Sequence, residues 1–339
     1  MSTQTRTAES QENDPNRDPV LVDDWHVVAR VEDVEESGVV SARLLDEDLV
    51  LWRRNGEAMA WRDLCPHRGT RLSLGQVDER GLVCPYHGWT YDQTGTCVRI
   101  PSRPDTKPPA KACTEVYLVR ERYGLIWVSL GDPKQDIPPF GEWDDPSFRH
   151  VLGGPYRIAA AGPRIIENFL DFTHFPFVHE GILGTRDRAE ATDYEVEVGP
   201  DGITAREIYT WTPDPDGSGQ AQMAKWLYRV LRPLTAYIEL TPVNSDSERY
   251  VMFLSVTPVG ESESIGWMWN SMDYNHQMSD EDFLAYADEI VFQDIPIIES
   301  QRPELLPLDL QTDIHVKPDA ASIAYRRWLK ELGLSTGVK

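Results

Sequence analysis

Two short cysteine–histidine segments constrain this chain more than any other feature. They read C-P-H-R-G at 65–69 and C-P-Y-H-G-W at 84–89. Each segment offers one thiolate and one imidazole. The proline in each segment favours a stiff loop, and the glycine permits unusual φ angles and close backbone approach. Two such loops that face each other can enclose a metal centre.

The ligand set favours a [2Fe–2S] centre of the Rieske type, in which two cysteines hold one iron and two histidines hold the other. A Cys2His2 zinc site is the alternative. Zinc fingers usually place both cysteines in one segment and both histidines in the other, whereas both segments here are mixed. We therefore predict that the cluster is bound by Cys65, His67, Cys84 and His87.

A second metal site is predicted in residues 167–179, which read E-N-F-L-D-F-T-H-F-P-F-V-H. On a helix, Asp171 would share a face with His174. Pro176 should bend or end that helix, so that His179 follows a turn or kink. Two histidines need a carboxylate to complete the facial triad of a non-haem Fe(II) site, which leaves positions open for O₂. Without the cluster motif, two structural or surface histidines would explain this segment equally well.

The third iron ligand is expected on a helix over 281–298. The apolar residues of this segment recur at helical spacing, at Phe283, Ala287, Ile290 and Val291. Asp294 falls on the same stripe, where a carboxylate is costly unless it is paired or bound to metal. Asp288 and Glu289 fit a solvent-facing side better, so we predict that Asp294 is the ligand.

With both metal sites, the chain resembles the catalytic α subunit of the Rieske non-haem iron oxygenases. The similarity covers nearly everything after about residue 20, including an N-x-x-D-x-x-H-x4-H motif from Asn168 to His179 and a late aspartate. The chain is most similar to the short single-subunit type. Its tail I-H-V…A-Y-R-R-W-L-K-E-L-G at 314–333 and the segment H-F-P-F-V-H are similar to the hydroxylases of saxitoxin biosynthesis.

The resemblance implies roles for individual residues. The four cluster ligands are those named above, and the iron is held by His174, His179 and Asp294. Asp171 becomes a bridging acid that is not a ligand, and Asn168 occupies the polar position just before it. The resemblance also implies a head-to-tail homotrimer, in which Asp171 links a cluster histidine of the neighbouring subunit to His174.

The expected reaction is O₂ activation at Fe(II) and hydroxylation of a C–H bond in a small polycyclic, alkaloid-like or aromatic substrate. Alternatives are O- or N-demethylation and cis-dihydroxylation of aromatics. The chain has no G-x-G-x-x-G after a strand and no P-loop, so electrons from NAD(P)H are expected through a separate flavin reductase, a ferredoxin, or both. A Rieske electron carrier or redox sensor is the alternative from a different class. Such a protein needs roughly one domain, so this alternative leaves the second half of the chain without a role.

The predicted fold class is α+β. We expect a disordered tail at 1–18, a small all-β Rieske domain at 19–135, and a catalytic domain at 136–339 with an antiparallel sheet flanked by helices. Strands are predicted at 25–31, 48–53, 125–130, 204–211, 236–241, 249–258 and 265–273. A Pro-rich linker is predicted at 132–147 and a capped helix at 319–332, ended by Gly333. Possible pocket residues, for which a core role is more common, are Trp211, Trp226, Tyr228, Trp267, Trp269, Met252 and Met272.

The net charge of −23 argues against nucleic-acid binding, because phosphates require Lys and Arg. An acidic ferredoxin would need a local basic patch, for which Arg68, Arg71, Lys107 and Lys111 are candidates or else ordinary surface charges. Cys97 and Cys113 are interpreted as small buried residues. No apolar run approaches membrane-spanning length and no signal peptide is evident, so a reducing cytoplasm is expected.

Overall fold

The computed structural model describes residues 18–200, 202–245 and 247–339. They fall into two compact units, 18–137 and 138–339. The predicted tail lies outside the described residues except for Asp18. Its buried carboxylate accepts a hydrogen bond of 2.9 Å from the Val20 backbone at the start of helix α1 (Pro19–Val22). A buried capping residue belongs to the fold, so the prediction of a tail is wrong at this position.

The described residues of the first unit form ten strands: β1 (His26–Arg30), β2 (Val39–Leu44), β3 (Glu47–Arg54), β4 (Glu57–Arg62), β5 (Gln76–Asp78), β6 (Gly81–Val83), β7 (Thr90–Tyr91), β8 (Cys97–Arg99), β9 (Val116–Arg122) and β10 (Leu125–Ser129). They form a six-stranded sheet in the order β1-β10-β9-β4-β3-β2 and a four-stranded sheet in the order β5-β6-β7-β8. The first cysteine–histidine segment connects β4 to β5, and the second connects β6 to β7.

The core of this unit is aromatic beside the two segments. Trp52 and Trp61 are fully buried and pack edge to face, with ring centroids 4.8 Å apart. They belong to the same apolar cluster as Cys65, Cys84 and Tyr91. Rigid aromatic rings therefore support the backbone from which both thiols project.

In the part of the second unit that the structure describes, a seven-stranded antiparallel sheet has helices beside it. Its strands are β11 (Arg149–Ile158), β12 (Glu195–Gly199), β13 (Gly202–Thr212), β14 (Gln222–Arg232), β15 (Thr235–Pro242), β16 (Tyr250–Gly260) and β17 (Glu263–Met272), in the order β11-β17-β16-β15-β14-β13-β12. Its helices are α2 (Gly162–Phe169), α3 (Phe175–Val178), α4 (Asp280–Ser300) and α5 (Ala320–Leu332). All seven predicted strands are present in the two units, and the predicted α+β class is confirmed.

Helix α4 carries the predicted stripe. Ser279 caps it by accepting a hydrogen bond of 3.0 Å from the Asp282 backbone, and Phe283 and Ala287 are buried. The helix packs along β11. Among the described residues, no helix has both the length and the apolar character needed to cross a membrane.

Two local predictions are wrong. Helix α2 ends at Phe169 and α3 starts at Phe175, so Asp171 lies in the turn between two helices and not on a helical face with His174. Gly333 ends α5 at φ +79° as predicted, but Asp319 does not cap that helix through its side chain. Its carboxylate instead accepts a hydrogen bond from the backbone of Val316, in the preceding turn.

Candidate metal centres

The two cysteine–histidine segments have the same loop geometry. In each, the glycine N–H donates to the cysteine carbonyl, from Gly69 to Cys65 at 2.9 Å and from Gly88 to Cys84 at 3.0 Å. Both glycines lie in the left-handed region, at φ +71° and +69°. A side chain would strain the backbone there, so glycine fixes the turn that presents the cysteine and histidine together.

Both thiols lie inside the protein. Cys65 and Cys84 are each 1% exposed, and the Cys65 sulfur is 3.1 Å from the Tyr91 hydroxyl. Burial raises the pKa of the Cys84 thiol, and the neighbouring Cys65 raises it further. A buried pair of thiols becomes a pair of thiolates when it binds a cation, and the Tyr91 hydroxyl can then donate to the sulfur.

The two imidazoles lie towards the surface. The rings of His67 and His87 are 4.6 Å apart, and His67 stacks on Trp89 at 4.2 Å. The Nδ1 atom of His67 is buried and has no hydrogen-bond partner among the described residues. An unpaired buried nitrogen is costly in a folded protein, whereas a metal would satisfy it. The donor set therefore fits a [2Fe–2S] centre whose histidine side faces outward.

The remaining cysteines and the predicted basic patch differ from expectation in part. All four cysteines are free, and Cys97 is buried as predicted, but Cys113 is exposed, so its assignment as a buried residue is wrong.

In the predicted basic patch, Arg71 forms an ion pair of 2.8 Å with Asp48, so the carboxylate partly neutralises its positive charge. Arg68, Lys107 and Lys111 are exposed.

The second centre is assembled from α3 and α4. His174 precedes α3, His179 follows it, and Asp294 lies in α4. The Nε2 atoms of the two histidines are 3.1 Å apart and lie 3.4 and 3.2 Å from the Asp294 Oδ1 atom. One turn of helix with Pro176 in its first positions thus turns both rings towards the same point.

His179 is held by a residue that the sequence did not reveal. Its side chain is 1% exposed, and its Nδ1 lies 2.8 Å from the Gln293 Oε1 atom. An Nδ1–H that donates to Gln293 leaves the Nε2 lone pair directed at Asp294 and His174. Gln293 immediately precedes Asp294, and in the sequence such a glutamine cannot be distinguished from a solvent-facing residue of α4.

The three groups fit a cation. The Asp294 Oδ1 atom is buried and receives no hydrogen bond from any residue that the structure describes. Burial lowers the pKa of His179, but Asp294 and Gln293 raise it, and the net pKa lies above the usual value. The carboxylate therefore favours positive charge at this point. Two histidines and one carboxylate match the ligand type of non-haem Fe(II) sites.

Asp171 lies on the far side of His174. Its Oδ2 is 3.5 Å from the His174 Nδ1, longer than a strong hydrogen bond, while its Oδ1 accepts from the Thr173 N–H and hydroxyl at 2.6 and 2.7 Å. Burial raises the pKa of Asp171, but His174 and Thr173 lower it, and the net pKa lies below the usual value. Asp171 is thus an ionised carboxylate beside His174 and is outside the group of candidate ligand atoms.

A cavity of about 70 Å³ adjoins the three ligand side chains. Its walls are mainly apolar, and Asn168 contributes an amide for which no hydrogen bond is found among the described residues. Of the predicted pocket residues, Trp226 and Met252 line this cavity. The other five do not: Tyr228, Trp267 and Met272 are buried elsewhere, Trp211 lines another cavity and Trp269 packs on Trp143. The sequence missed Tyr250, Met268 and Tyr286, which also line the cavity beside the ligand side chains.

Known protein families match both units. Residues 24–114 match the family described as Rieske [2Fe-2S] domain. Residues 158–335 match the family described as vanillate O-demethylase oxygenase C-terminal domain. The second match covers more than half of the chain and includes all three candidate iron ligands.

Individual relatives match this chain over nearly its whole length or over one part of it. Methylxanthine N1-demethylase NdmA of Pseudomonas putida is 35% identical over 317 residues, which cover 91% of this chain and 88% of that protein. Its solved structure with caffeine superposes with a TM-score of 0.82 at 33% identity, covering 92% of this chain and 91% of that one. Oxidoreductase NdmD of the same organism is 42% identical over 114 residues, which cover 33% of this chain and 19% of that protein.

Proposed function

Because the chain belongs to the Rieske non-haem iron oxygenase family, whose members are oxidoreductases with a [2Fe–2S] cluster and a mononuclear iron, we propose that it N-demethylates a small methylated heteroaromatic compound. The methylxanthine N1-demethylase NdmA matches nearly the whole chain. The predicted similarity to saxitoxin hydroxylases finds no support among the relatives reported above. The observation that carries the proposal is the apolar cavity beside His174, His179 and Asp294.

In this proposal Cys65, Cys84, His67 and His87 hold the cluster. The buried thiols and the unpaired His67 nitrogen support the assignment. The exposed His87 gives the cluster an edge from which an external donor can deliver an electron. Members of the family take electrons from a reductase or ferredoxin, and the match to Oxidoreductase NdmD supports a partner of that kind.

His174, His179 and Asp294 hold the iron, which supplies O₂ activation when bound. Gln293 fixes the tautomer of His179, and the Asp171 carboxylate lies 3.5 Å from the Nδ1 atom of His174. The Asp171 side chain is 36% exposed, so a second copy of the chain can reach it. This exposure supports the proposal that Asp171 links the two centres of neighbouring subunits in a homotrimer.

The cavity positions the substrate without binding it to iron. Phe175 and Trp226, with ring centroids 5.3 Å apart, offer flat apolar surfaces for a planar ring. The Asn168 amide can both donate to and accept from a polar edge of that ring. A methyl group on the opposite edge would then face the three ligand side chains. The Asn168 contact and the stacking together favour a heterocycle over a simple hydrocarbon.

The expected chemistry is insertion of one oxygen atom into a methyl C–H bond. An N–CH₃ group, O₂, two electrons and two protons yield N–CH₂OH and water, and the N–CH₂OH group then breaks down to N–H and formaldehyde. The electrons come from NAD(P)H through the separate reductase. The electron-carrier alternative leaves the second unit and its clustered His174, His179 and Asp294 without a role.

Formaldehyde release tests this proposal. The protein with its cluster and iron, a Rieske-oxygenase reductase and NADH are incubated with caffeine, theobromine or vanillate. We expect one formaldehyde per methyl group lost from an N-methyl substrate, measured with mass spectrometry of both products. A product heavier by one oxygen without formaldehyde would show ring hydroxylation. Formaldehyde from vanillate alone would show O-demethylation.

Gln293→Leu is expected to weaken Fe(II) binding by roughly tenfold, because it removes the acceptor that fixes the His179 tautomer. Gln293→Glu should bind iron at least as tightly as the unchanged protein, since a carboxylate also accepts from Nδ1–H. Competition with a chelator measures both affinities without any turnover. Gln277→Leu, at an exposed position before α4, is the matched control. An unchanged affinity in Gln293→Leu would exclude the positioning role.

A further inference from the structure

A larger cavity lies on the other side of the segment that carries His174. It measures about 350 Å³ and opens towards solvent between residues 187–192 and the strands β13 and β14. Phe175 and Leu183 line both this outer cavity and the iron-side cavity. Two side chains therefore lie between the iron-side cavity and the outer cavity.

We propose that the outer cavity is an antechamber for the substrate and that Leu183 is the gate between it and the iron site. The inference rests on the proposed function for the class of substrate. Sites for small molecules usually measure roughly 300–1,000 Å³. The iron-side cavity of about 70 Å³ is far below that range, whereas the outer cavity of about 350 Å³ is within it. A bicyclic substrate must therefore enlarge the inner space as it enters.

Of the two separating side chains, Phe175 is fixed. Its ring centroid lies 5.1 Å from that of His174, 5.9 Å from that of His179 and 5.3 Å from that of Trp226. Moving it would disturb both histidines that the proposed function assigns to iron. Phe175 is thus the wall of the passage and not its moving part.

Leu183 is a buried aliphatic side chain, 6% exposed, on a fixed backbone. Its N–H donates to the His179 carbonyl at 3.0 Å. The next residue, Gly184, packs so closely that a Cβ there would lie 2.8 Å from the Pro176 nitrogen. Rotation about the Leu183 side-chain bonds is consequently the smallest motion that joins the cavities. Such rotamer changes need no backbone rearrangement.

The outer cavity suits a flat heteroaromatic ring. The Arg188 guanidinium lies 4.6 Å from the Trp211 ring centroid, and both residues line the cavity. Indole faces and guanidinium planes stack on planar rings. A methylated heterocycle can therefore be held there before Leu183 opens. Trp211 does not line the iron-side cavity, and in this proposal its role is to hold the ring in the outer cavity.

Cysteine labelling tests the gate without any substrate. Ile238 is 4% exposed and lines the iron-side cavity but not the outer cavity, so Ile238→Cys places a thiol behind the gate. Benzyl methanethiosulfonate is the probe, and mass spectrometry resolves the labelled positions. In the Ile238→Cys protein, Leu183→Ala should speed labelling and Leu183→Trp should slow it, each by roughly tenfold. Exposed Cys113 should react at the same rate in all variants and is the internal control.

A second possible route to the iron-side cavity provides the control for the Leu183 variants. A cavity of about 40 Å³ on the other flank of Asp294 is lined by Ile295. Ile295→Trp should leave the labelling rate unchanged. Equal rates in all Leu183 variants, or slow labelling only in Ile295→Trp, would overturn the proposal. Circular dichroism shows whether each variant is folded, and the Leu183→Ala result stands even if Leu183→Trp does not fold.

Caffeine binding separates a gate from a contact residue. Surface plasmon resonance should show that Leu183→Trp lowers the association and dissociation rates by the same factor, with Kd unchanged. A changed Kd would mean that Leu183 touches the bound ring and would overturn the gate. If caffeine neither binds nor loses a methyl group, the proposed function fails for this compound, and the labelling experiment still decides the gate.

Discussion

Asp294→Ala is expected to remove the mononuclear iron and abolish product formation while leaving the visible spectrum of the [2Fe–2S] cluster unchanged. Asp294 contributes the single carboxylate of the ligand group, 3.4 and 3.2 Å from the two histidine nitrogens. Without it, two neutral imidazoles must hold a divalent cation by themselves. The cluster segments lie in the other unit and share none of these residues.

The expected loss of affinity is large. Structural zinc sites with four ligands bind with roughly 10–16 kcal/mol, or about 3 kcal/mol per ligand, which corresponds to roughly a hundredfold in affinity. Iron analysis after gel filtration should therefore fall from three irons per chain to two. Glu289→Ala is the matched control, because Glu289 lies on the same helix and is exposed. It should retain all three irons.

Retention of three irons in Asp294→Ala would assign the ligand to another acid. Asp288 is one alternative on α4, but its carboxylate accepts a hydrogen bond from the Tyr156 hydroxyl. Asp288 thus has a partner of its own and is not the solvent-facing residue that the sequence predicted. The Asp288→Ala variant should lose stability through Tyr156 and keep its iron.

The candidate metal centres could be predicted because their candidate ligands are rare residue types at fixed spacing. Cys65, His67, Cys84 and His87 come together through two tight turns that proline and glycine encode locally. Asp294 could be predicted because a carboxylate on the apolar stripe of α4 breaks a clear helical pattern. In each case the signal lies within one short segment, and the structure brings His174, His179 and Asp294 together as expected.

The supporting features were not predictable because they depend on contacts between distant segments. Gln293 has a role only when α4 lies beside His179, 114 residues earlier in the chain. The turn at Asp171 results from α2 ending early, which periodicity alone did not show. The two cavities arise from strands and loops whose side chains follow the ordinary pattern of a sheet core. Composition therefore could not distinguish Trp226, which lines the inner cavity, from buried Tyr228.

Asp171→Asn is expected to slow reoxidation of the reduced cluster by O₂, in the presence of substrate, by roughly 10- to 100-fold, while both metal sites remain occupied. The asparagine keeps the size of the side chain and can still accept from Thr173, as Asp171 does at 2.6 and 2.7 Å. It loses the negative charge that Asp171 presents to the histidine on either side in the proposed trimer.

Iron should remain because the contact from Asp171 to His174 is weak. At 3.5 Å it contributes little to the tautomer of His174 compared with the ligand position itself. Stopped-flow absorbance of the reduced cluster measures the rate, and iron analysis and gel filtration of the same sample exclude loss of metal or of assembly. Asp193→Asn, at an exposed carboxylate paired with Lys317, is the matched control, and its cluster should be reoxidised at the normal rate.

Near-normal reoxidation of the cluster in Asp171→Asn would exclude the coupling role of Asp171. Loss of iron would instead show that the 3.5 Å contact supports the metal site, and Asp171 would then be a positioning residue for His174 alone.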